Sequence, residues 1–329
     1  MPANLPPQYH GAEQRFREAK TIPDKIEALE EMFALLPKHK GTDHLKADIR
    51  RRIAKLKVEG EKKGSGRRGF GYHVDKQGAG QVVLVGPPNA GKSLLLARLT
   101  NAKAEVAEFP FTTVRPLAGM VEFENVQIQL VDLPAIAPEM TEPWVPGIIR
   151  AADAVLVVVD LGDDGVLERT DETLAYLERA RVALVPPGGS TASPEIGRVV
   201  KRALLGANKA DAEGADDRRT ILADAYGARL PVVPLSARDG TNLEGLKRRL
   251  FEFLGVLRVY TKAPGKPPSL QTPVVLPIGS TVLDLAASIH KDFAQQLKFA
   301  RIWGSGKFDG QKVQREFPVR EGDVIELHL

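Results

Sequence analysis

The chain has 329 residues, with 46 Lys and Arg against 42 Asp and Glu and no cysteine. That length is enough for two or three domains with buried cores, while the missing cysteines exclude disulfides, thiol catalysis and zinc or iron–sulfur sites built on thiolates. The net charge of +4 hides an uneven distribution: residues 1–80 carry +6, residues 81–256 carry −5 and residues 257–329 carry +3. An acidic middle between two basic ends points to a polyanionic partner. The six histidines never fall at metal-ligand spacing, and the longest apolar run, Ala154 to Val159, is too short to span a bilayer. The first ten residues lack the charged and apolar regions of a signal peptide. A cytoplasmic protein with no membrane partner is the expectation.

In chain order, Thr21 can cap a helix that runs to about Leu36, carrying Ile26, Leu29, Phe33 and Leu36 on one face and stopped by Pro37. Thr42 can cap a second, with Leu45, Ile49, Ile53 and Leu56 on its apolar face. Residues 1–62 therefore read as a helical hairpin resembling a helix-turn-helix. Residues 63–80 read as a Gly-rich basic linker, and the seven glycines of residues 60–80 argue for flexibility. From Gln81 to Val256 the pattern changes. Short β-branched runs (82–85, 120–124, 126–132, 154–160, 202–208 and 231–236) alternate with amphipathic stretches near 92–101, 167–180, 215–226 and 242–254. That alternation predicts an α/β domain, a mainly parallel sheet between helices. Residues 186–197 interrupt it as a surface loop. Residues 257–329 order as β-β-α-β-β-β, which suggests a small β-grasp domain with Phe299, Ile302, Val324, Ile325 and Leu327 in its core.

The chemistry sits in the α/β region. Gly86-Pro87-Pro88-Asn89-Ala90-Gly91-Lys92-Ser93 fits G-x-x-x-x-G-K-[ST], between a strand and a helix that continues into Leu94. There the glycines let backbone N–H groups wrap phosphates, Lys92 reaches the β- and γ-phosphates, and the Ser93 hydroxyl ligates Mg²⁺. Asp132-Leu133-Pro134 ends a strand 39 residues later, where a carboxylate can hold Mg²⁺ through water. Thr112 and Thr113 lie where a mobile loop would bring a hydroxyl to Mg²⁺ and the γ-phosphate. Asn208-Lys209-Ala210-Asp211 follows another strand. The Asp211 carboxylate can accept from guanine N1–H and its 2-amino group, Asn208 would bond the base edge, and the Lys209 stem would cover the ring. Ser236-Ala237-Arg238 ends the last sheet strand, placed to touch the base through its backbone. Each fragment alone is weak, but their order and spacing make a guanine-nucleotide site.

GPPNAGKS, FPFTT, DLP, NKAD and SAR together resemble the Obg superfamily of translation-factor-class GTPases, built on a P-loop NTPase G domain. ADIRRRIAKLK in the N-terminal part, with RVYTKAPGKPP, TPVVLPIGSTVLDLAASIHKDF and KFARIWG at the C-terminal end, resembles the DRG branch and its TGS domain, an ubiquitin-like β-grasp. The resemblance implies GTP and GDP binding, slow hydrolysis with Lys92, Thr113 and Asp132 in the catalytic set, and association with ribosomes or ribosomal RNA. It departs from the pattern at Ala135, where the family has Gly, and at the segment between Asp132 and Asn208, too short for the domain DRG proteins insert there. Residues 137–147 replace the glycine-rich second switch, and Ile136 follows Ala135, so no side chain of the motif can act as general base. Asn89 holds the position that in related GTPases helps bind K⁺, which would supply charge in the manner of an arginine finger.

Residues 46–68 carry ten basic and three acidic side chains, an RNA-contact candidate followed by Phe70 and Tyr72, which are expected to dock on the G domain. Lys298, Arg301, Lys307, Lys312 and Arg315 form a second candidate basic face, suited to RNA or to a protein regulator. The expected function is a GTP-hydrolysing switch on ribosomes. The alternative is a nucleotide-gated protein-binding module with negligible hydrolysis.

Overall fold

A computed structural model describes residues 7–19, 22–36, 49, 51–53, 72–100, 115–137, 141–192 and 195–329. The chain divides into two compact units, residues 1–71 and 72–329.

In the first unit, α1 (Pro7–Glu18) and α2 (Ile22–Ala34) are helices. Tyr9 and Ala12 on one, and Leu29 and Met32 on the other, are buried in a common cluster with Leu36 and Ile49. Arg15 pairs with Glu31 between the two helices. The helix expected from Thr21 is α2. Of the second expected helix, residues 49 and 51–53 are helical and the remainder lies outside the described residues. Helix α1 had not been expected, because its polar composition masks the Tyr9, Ala12 and Phe16 face.

The second unit opens with a segment that is not a flexible linker. Residues 72–80 are bound to the base of the following sheet. Gln81 Nε2 donates to Val74 O (3.1 Å) and to Gln129 Oε1 (2.8 Å), and Gln129 Nε2 donates to Asp75 O (3.0 Å). Lys76 pairs with Asp153. The Tyr72 ring meets Trp144 edge-on, with centroids 4.7 Å apart. Glycine content in this stretch reflects close approach, not mobility: Gly78 lies at φ 66° and a side chain there would run into Gln127 O.

Among the described residues the main sheet has seven strands. Six run in the order β2 (Leu117–Phe123), β3 (Val126–Asp132), β1 (Gln81–Val85), β4 (Ala154–Asp160), β6 (Val199–Asn208) and β5 (Val182–Val185), and β7 (Val232–Pro234) also pairs with β6. All neighbours are parallel except the β2–β3 hairpin. Alternate residues of each central strand face opposite cores. Val83 and Val85 join the cluster under α4 (Val145–Ala151), α5 (Val166–Arg179) and α6 (Ala215–Tyr226). Val82 and Leu84 join that under α3 (Lys92–Leu99) and α7 (Leu243–Leu254). Burial on both faces explains the near-continuous apolar strands. Strand β5, the first three residues of β6 and helix α4 had not been expected. The first two fall in short runs beside the loop at 186–197, and α4 begins within the region 137–147 read as a switch, with Pro146 disguising it.

The last domain is a five-stranded β-grasp, as expected. Its order is β11 (Gln311–Val313), β10 (Phe299–Trp303), β12 (Val324–His328), β8 (Val256–Thr261) and β9 (Val274–Pro277), with β12 parallel to β8. Helix α8 (Val282–Ile289) starts at a capping box between Thr281 and Asp284 and buries Val282, Leu285 and Ala286. His290, at φ −164° and ψ 145°, separates it from α9 (Lys291–Gln296), so the single expected helix over 281–293 is two. The inward residues of β10 are Ala300 and Ile302. Phe299 had been expected in the core. Instead it stands on the opposite face, stacked on His328 at 4.4 Å, because the strand alternates and its neighbours Ala300 and Ile302 take the inner side.

Arg258 fastens the β-grasp to the tip of the β2–β3 hairpin. Its guanidinium pairs with Glu124, bonds Asn125 Oδ1 (3.1 Å) and Glu321 Oε1 (2.6 Å), and lies 5.0 Å from the Phe251 ring centroid. Asn125 donates in turn to Tyr260 Oη (2.8 Å).

Candidate nucleotide site

Strands β1, β3, β4 and β6 end at one edge of the sheet, and the predicted motifs follow from that edge. After β1 the chain turns through Gly86 (φ 155°), Asn89 (φ 61°) and Gly91 (φ 86°) into the N-terminus of α3. A side chain at Gly86 would collide with Val158 O and one at Gly91 with Asn208 Nδ2, so both glycines are required by close approach. Asn89 is exposed and in the left-handed region, which asparagine tolerates better than other side-chain-bearing residues.

Lys92 folds back into this loop. It is 7% exposed, and its Nζ donates to Gly86 O (3.0 Å) and Pro87 O (3.1 Å). Burial pulls its pKa down to about 8, partly offset by the negative charge of Asp132. The register Leu84↔Asp132 carries Asp132 to the mouth of the loop, where its Oδ2 accepts from Ser93 Oγ at 2.5 Å. A hydroxyl and a carboxylate meeting beside a loop of backbone N–H groups are hard oxygen donors, and they fit Mg²⁺. Among the described residues no group of three or more His, Cys, Asp or Glu could hold a metal by themselves. The metal reading therefore needs the nucleotide's own oxygens.

Beyond Asp132, Leu133 and Pro134 are buried and Ala135 is half-buried. Ala135 is absent from the residues at positive φ, so its methyl sits in an ordinary backbone conformation. Ile136 is buried in the core at 4% exposure, and its N–H donates to Gly86 O (2.9 Å). The switch is thus tied to the loop by backbone, and no polar side chain of 133–137 reaches toward it. Thr112 and Thr113 lie outside the described residues.

The residues predicted to recognise the base come together at the ends of β6 and β7. Asp211 Oδ1 accepts from Ser236 Oγ (2.6 Å), and the Arg238 guanidinium lies 3.7 Å from Oδ2. Arg238 O accepts from Arg98 (2.8 Å), fixing the loop against α3. Asn208 behaves differently from the expectation that it bonds the base edge. It is buried, its Nδ2 donates to Ala90 O (2.8 Å) and its Oδ1 accepts from Ala237 N (2.9 Å). Both ends of the amide are occupied by backbone, so in this structure Asn208 joins the phosphate loop to the Ser236–Arg238 loop. Lys209 is at φ 63°, and its Nζ bonds Asp160 Oδ2 (2.6 Å). Asp160 was overlooked in the sequence because it reads only as the polar end of an apolar strand. Leu94, also expected near nucleotide, is half-buried against the α3-side core.

Residues 81–185 match the family described as 50S ribosome-binding GTPase, and residues 257–329 match the TGS domain. The chain therefore carries a P-loop GTPase-type G domain followed by a C-terminal TGS domain. Over almost its whole length it is similar to proteins named as developmentally-regulated GTP-binding proteins. It is 28% identical to the developmentally-regulated GTP-binding protein 1 of Xenopus laevis, over 92% of this chain and 98% of that one. An uncharacterized GTP-binding protein of Methanocaldococcus jannaschii is also 28% identical, over 93% and 92%. Among solved structures, Aquifex aeolicus Era bound to GDP and AlF4⁻ is similar with a TM-score of 0.40 at 22% identity, over 68% of this chain and 71% of that one. Among the described residues, no helix is long and apolar enough to cross a membrane.

Proposed function

We propose that this protein hydrolyses GTP slowly and acts as a nucleotide-dependent switch on ribosomes or other translation-associated RNA in the cytoplasm. The observation that carries the hydrolytic part is the convergence of Lys92, Ser93 and Asp132 on one phosphate loop, beside a base-recognition loop anchored by Asn208. Phosphoryl transfer asks mainly for positioning and for neutralisation of charge. Lys92 supplies a cation to the phosphates, the backbone N–H groups of residues 89–93 orient them, and Asp211 selects guanine over adenine. Mg²⁺, held by Ser93 with Thr113 and, through water, Asp132, would neutralise the β- and γ-oxygens. With Ile136 buried and residues 133–137 all apolar, this part of the motif offers no general base, which supports slow intrinsic turnover and a stimulating partner. Asn89 is the residue we assign to K⁺. Equal GTPase rates in K⁺ and Na⁺ would remove that assignment.

The RNA part rests on charge. Its N-terminal half, residues 46–68, falls mostly outside the described residues. On the TGS domain, Arg301 and Lys312 are cross-strand neighbours, Lys312 lies 4.1 Å from the Phe299 ring centroid, and Lys262 lies 4.1 Å from that of Trp303. Arg315 bonds Ala294 O (3.0 Å) and Lys298 bonds Leu329 O (3.1 Å), so these two contribute less to an open basic face. Single-turnover GTP hydrolysis with and without ribosomes tests the proposal. Ribosome-stimulated turnover that weakens with salt is expected. No hydrolysis under either condition would favour a nucleotide-gated protein-binding module.

A further inference from the structure

We propose that Asp160 is a positioning residue of the guanine site, holding Lys209 by its ammonium so that the lysine stem lies across the face of the base. The inference rests on the guanine reading given above and adds a residue to it.

The β4–β6 register pairs Asp160 with Asn208, so the two strands end level and Lys209 passes directly over the loop that follows β4. Lys209 Nζ donates to Asp160 Oδ2 at 2.6 Å, with the two side chains 39% and 13% exposed. The carboxylate is itself fixed, since Asp160 Oδ1 accepts from Gly162 N at 2.8 Å. Leu161 N donates to Asn208 O at 2.8 Å, so the backbones of the two strand ends are joined beside the ion pair. A neighbouring carboxylate, Asp163, is committed to Arg169 and to Gly165 N. Asp160 is therefore the direct partner.

The physical consequence is preorganisation. A lysine carries four rotatable methylenes and a strongly hydrated charge, and an untethered one would spend most of its time in solvent. Anchored at its tip, the side chain presents its apolar stem as a fixed rail. The base then meets a surface that needs no further ordering, which lowers the entropic cost of binding. The backbone agrees: Lys209 is held in the left-handed region at φ 63°, its O accepts from Ala212 N, and Ala210 N donates to Leu235 O.

The test is displacement of a fluorescent GDP analogue by GDP, IDP and pyrophosphate, using the full chain and Asp160→Asn. The asparagine keeps an acceptor for Gly162 N–H and removes the charge, and thermal unfolding checks that the variant folds. Asp160→Asn is expected to weaken GDP and IDP alike, by about tenfold, the size of one charge-assisted hydrogen bond, while leaving pyrophosphate unchanged. In a Lys209→Met background the same substitution is expected to have no effect. The role is overturned if Asp160→Asn binds GDP like the parent, weakens pyrophosphate as much as GDP, or costs the same in the Lys209→Met background. Failure of the parent chain to bind GDP would instead overturn the guanine reading itself.

Discussion

Lys92 makes nucleotide affinity dependent on pH in a range where most lysines are fully charged. Its ammonium is buried, donates to two loop carbonyls and has its pKa lowered to about 8 by loss of hydration. A bound phosphate favours the protonated form, so binding above pH 8 must draw a proton from solvent. With a pKa near 8, about nine tenths of the lysines are charged at pH 7 and about one tenth at pH 9. If only the charged form grips the phosphates, the apparent Kd for GDP rises about tenfold across that interval. Isothermal calorimetry in two buffers of different ionisation enthalpy should show nearly one proton taken up per GDP at pH 9 and almost none at pH 7. The Lys92→Arg variant keeps its charge throughout and leaves only the nucleotide's own titration, so the difference between the two profiles isolates Lys92. A pH profile identical to that of Lys92→Arg, or proton release on binding, would refute the reasoning. The sign for stability is opposite. The folded chain binds fewer protons than the unfolded one between pH 8 and 10.5, so stability without nucleotide gains from Lys92 as pH rises through that window.

Three further outcomes are expected. Asn208→Ala leaves Ala90 O and Ala237 N unpaired in a buried place and should cost about 2–4 kcal/mol in thermal or denaturant unfolding. A loss below about 0.5 kcal/mol, the scatter of ordinary surface substitutions, would mean the bridge contributes nothing. Arg258→Ala removes the ties to Glu124, Asn125 and Glu321 and should cost about 1–2 kcal/mol, since both carboxylate partners are half-exposed, with a separate TGS unfolding transition in calorimetry; one unshifted cooperative transition would contradict this. Exchange of GDP for a non-hydrolysable GTP analogue should change the emission of Trp144, which sits at the start of α4 against Tyr72, in a Trp303→Phe background. Persistence of the same change in Trp144→Phe would place the reporter elsewhere.

Much of this architecture was legible from local pattern. The strand–loop–helix around Gly86–Ser93 combines a β-branched run, obligate glycines and an amphipathic helix, and every level points the same way. The β-grasp was equally readable from its β-β-α-β-β-β order. What escaped were features set by contacts distant in sequence. Residues 72–80 look like linker because their ordering comes from Gln81, Gln129 and Asp153, none of which marks itself in the sequence. Asn208 and Asp160 show a subtler case. The motif identifies residue types, but only the register of β4 against β6 reveals that one amide is consumed by backbone and that a strand-end carboxylate holds the neighbouring lysine. Phe299 was misplaced for a simpler reason, since strand parity cannot be fixed until it is known that Ala300 and Ile302 face inward.

The central claim is a site that binds guanine nucleotide and hydrolyses it through Lys92. Its most direct measurement is single-turnover conversion of γ-labelled GTP to phosphate with Mg²⁺ and K⁺ present, in a large excess of ATP, for the parent chain and for Lys92→Ala. The expected result is slow phosphate release by the parent that ATP does not suppress, and none by Lys92→Ala. Release abolished by ATP, or equal release by Lys92→Ala, would contradict it.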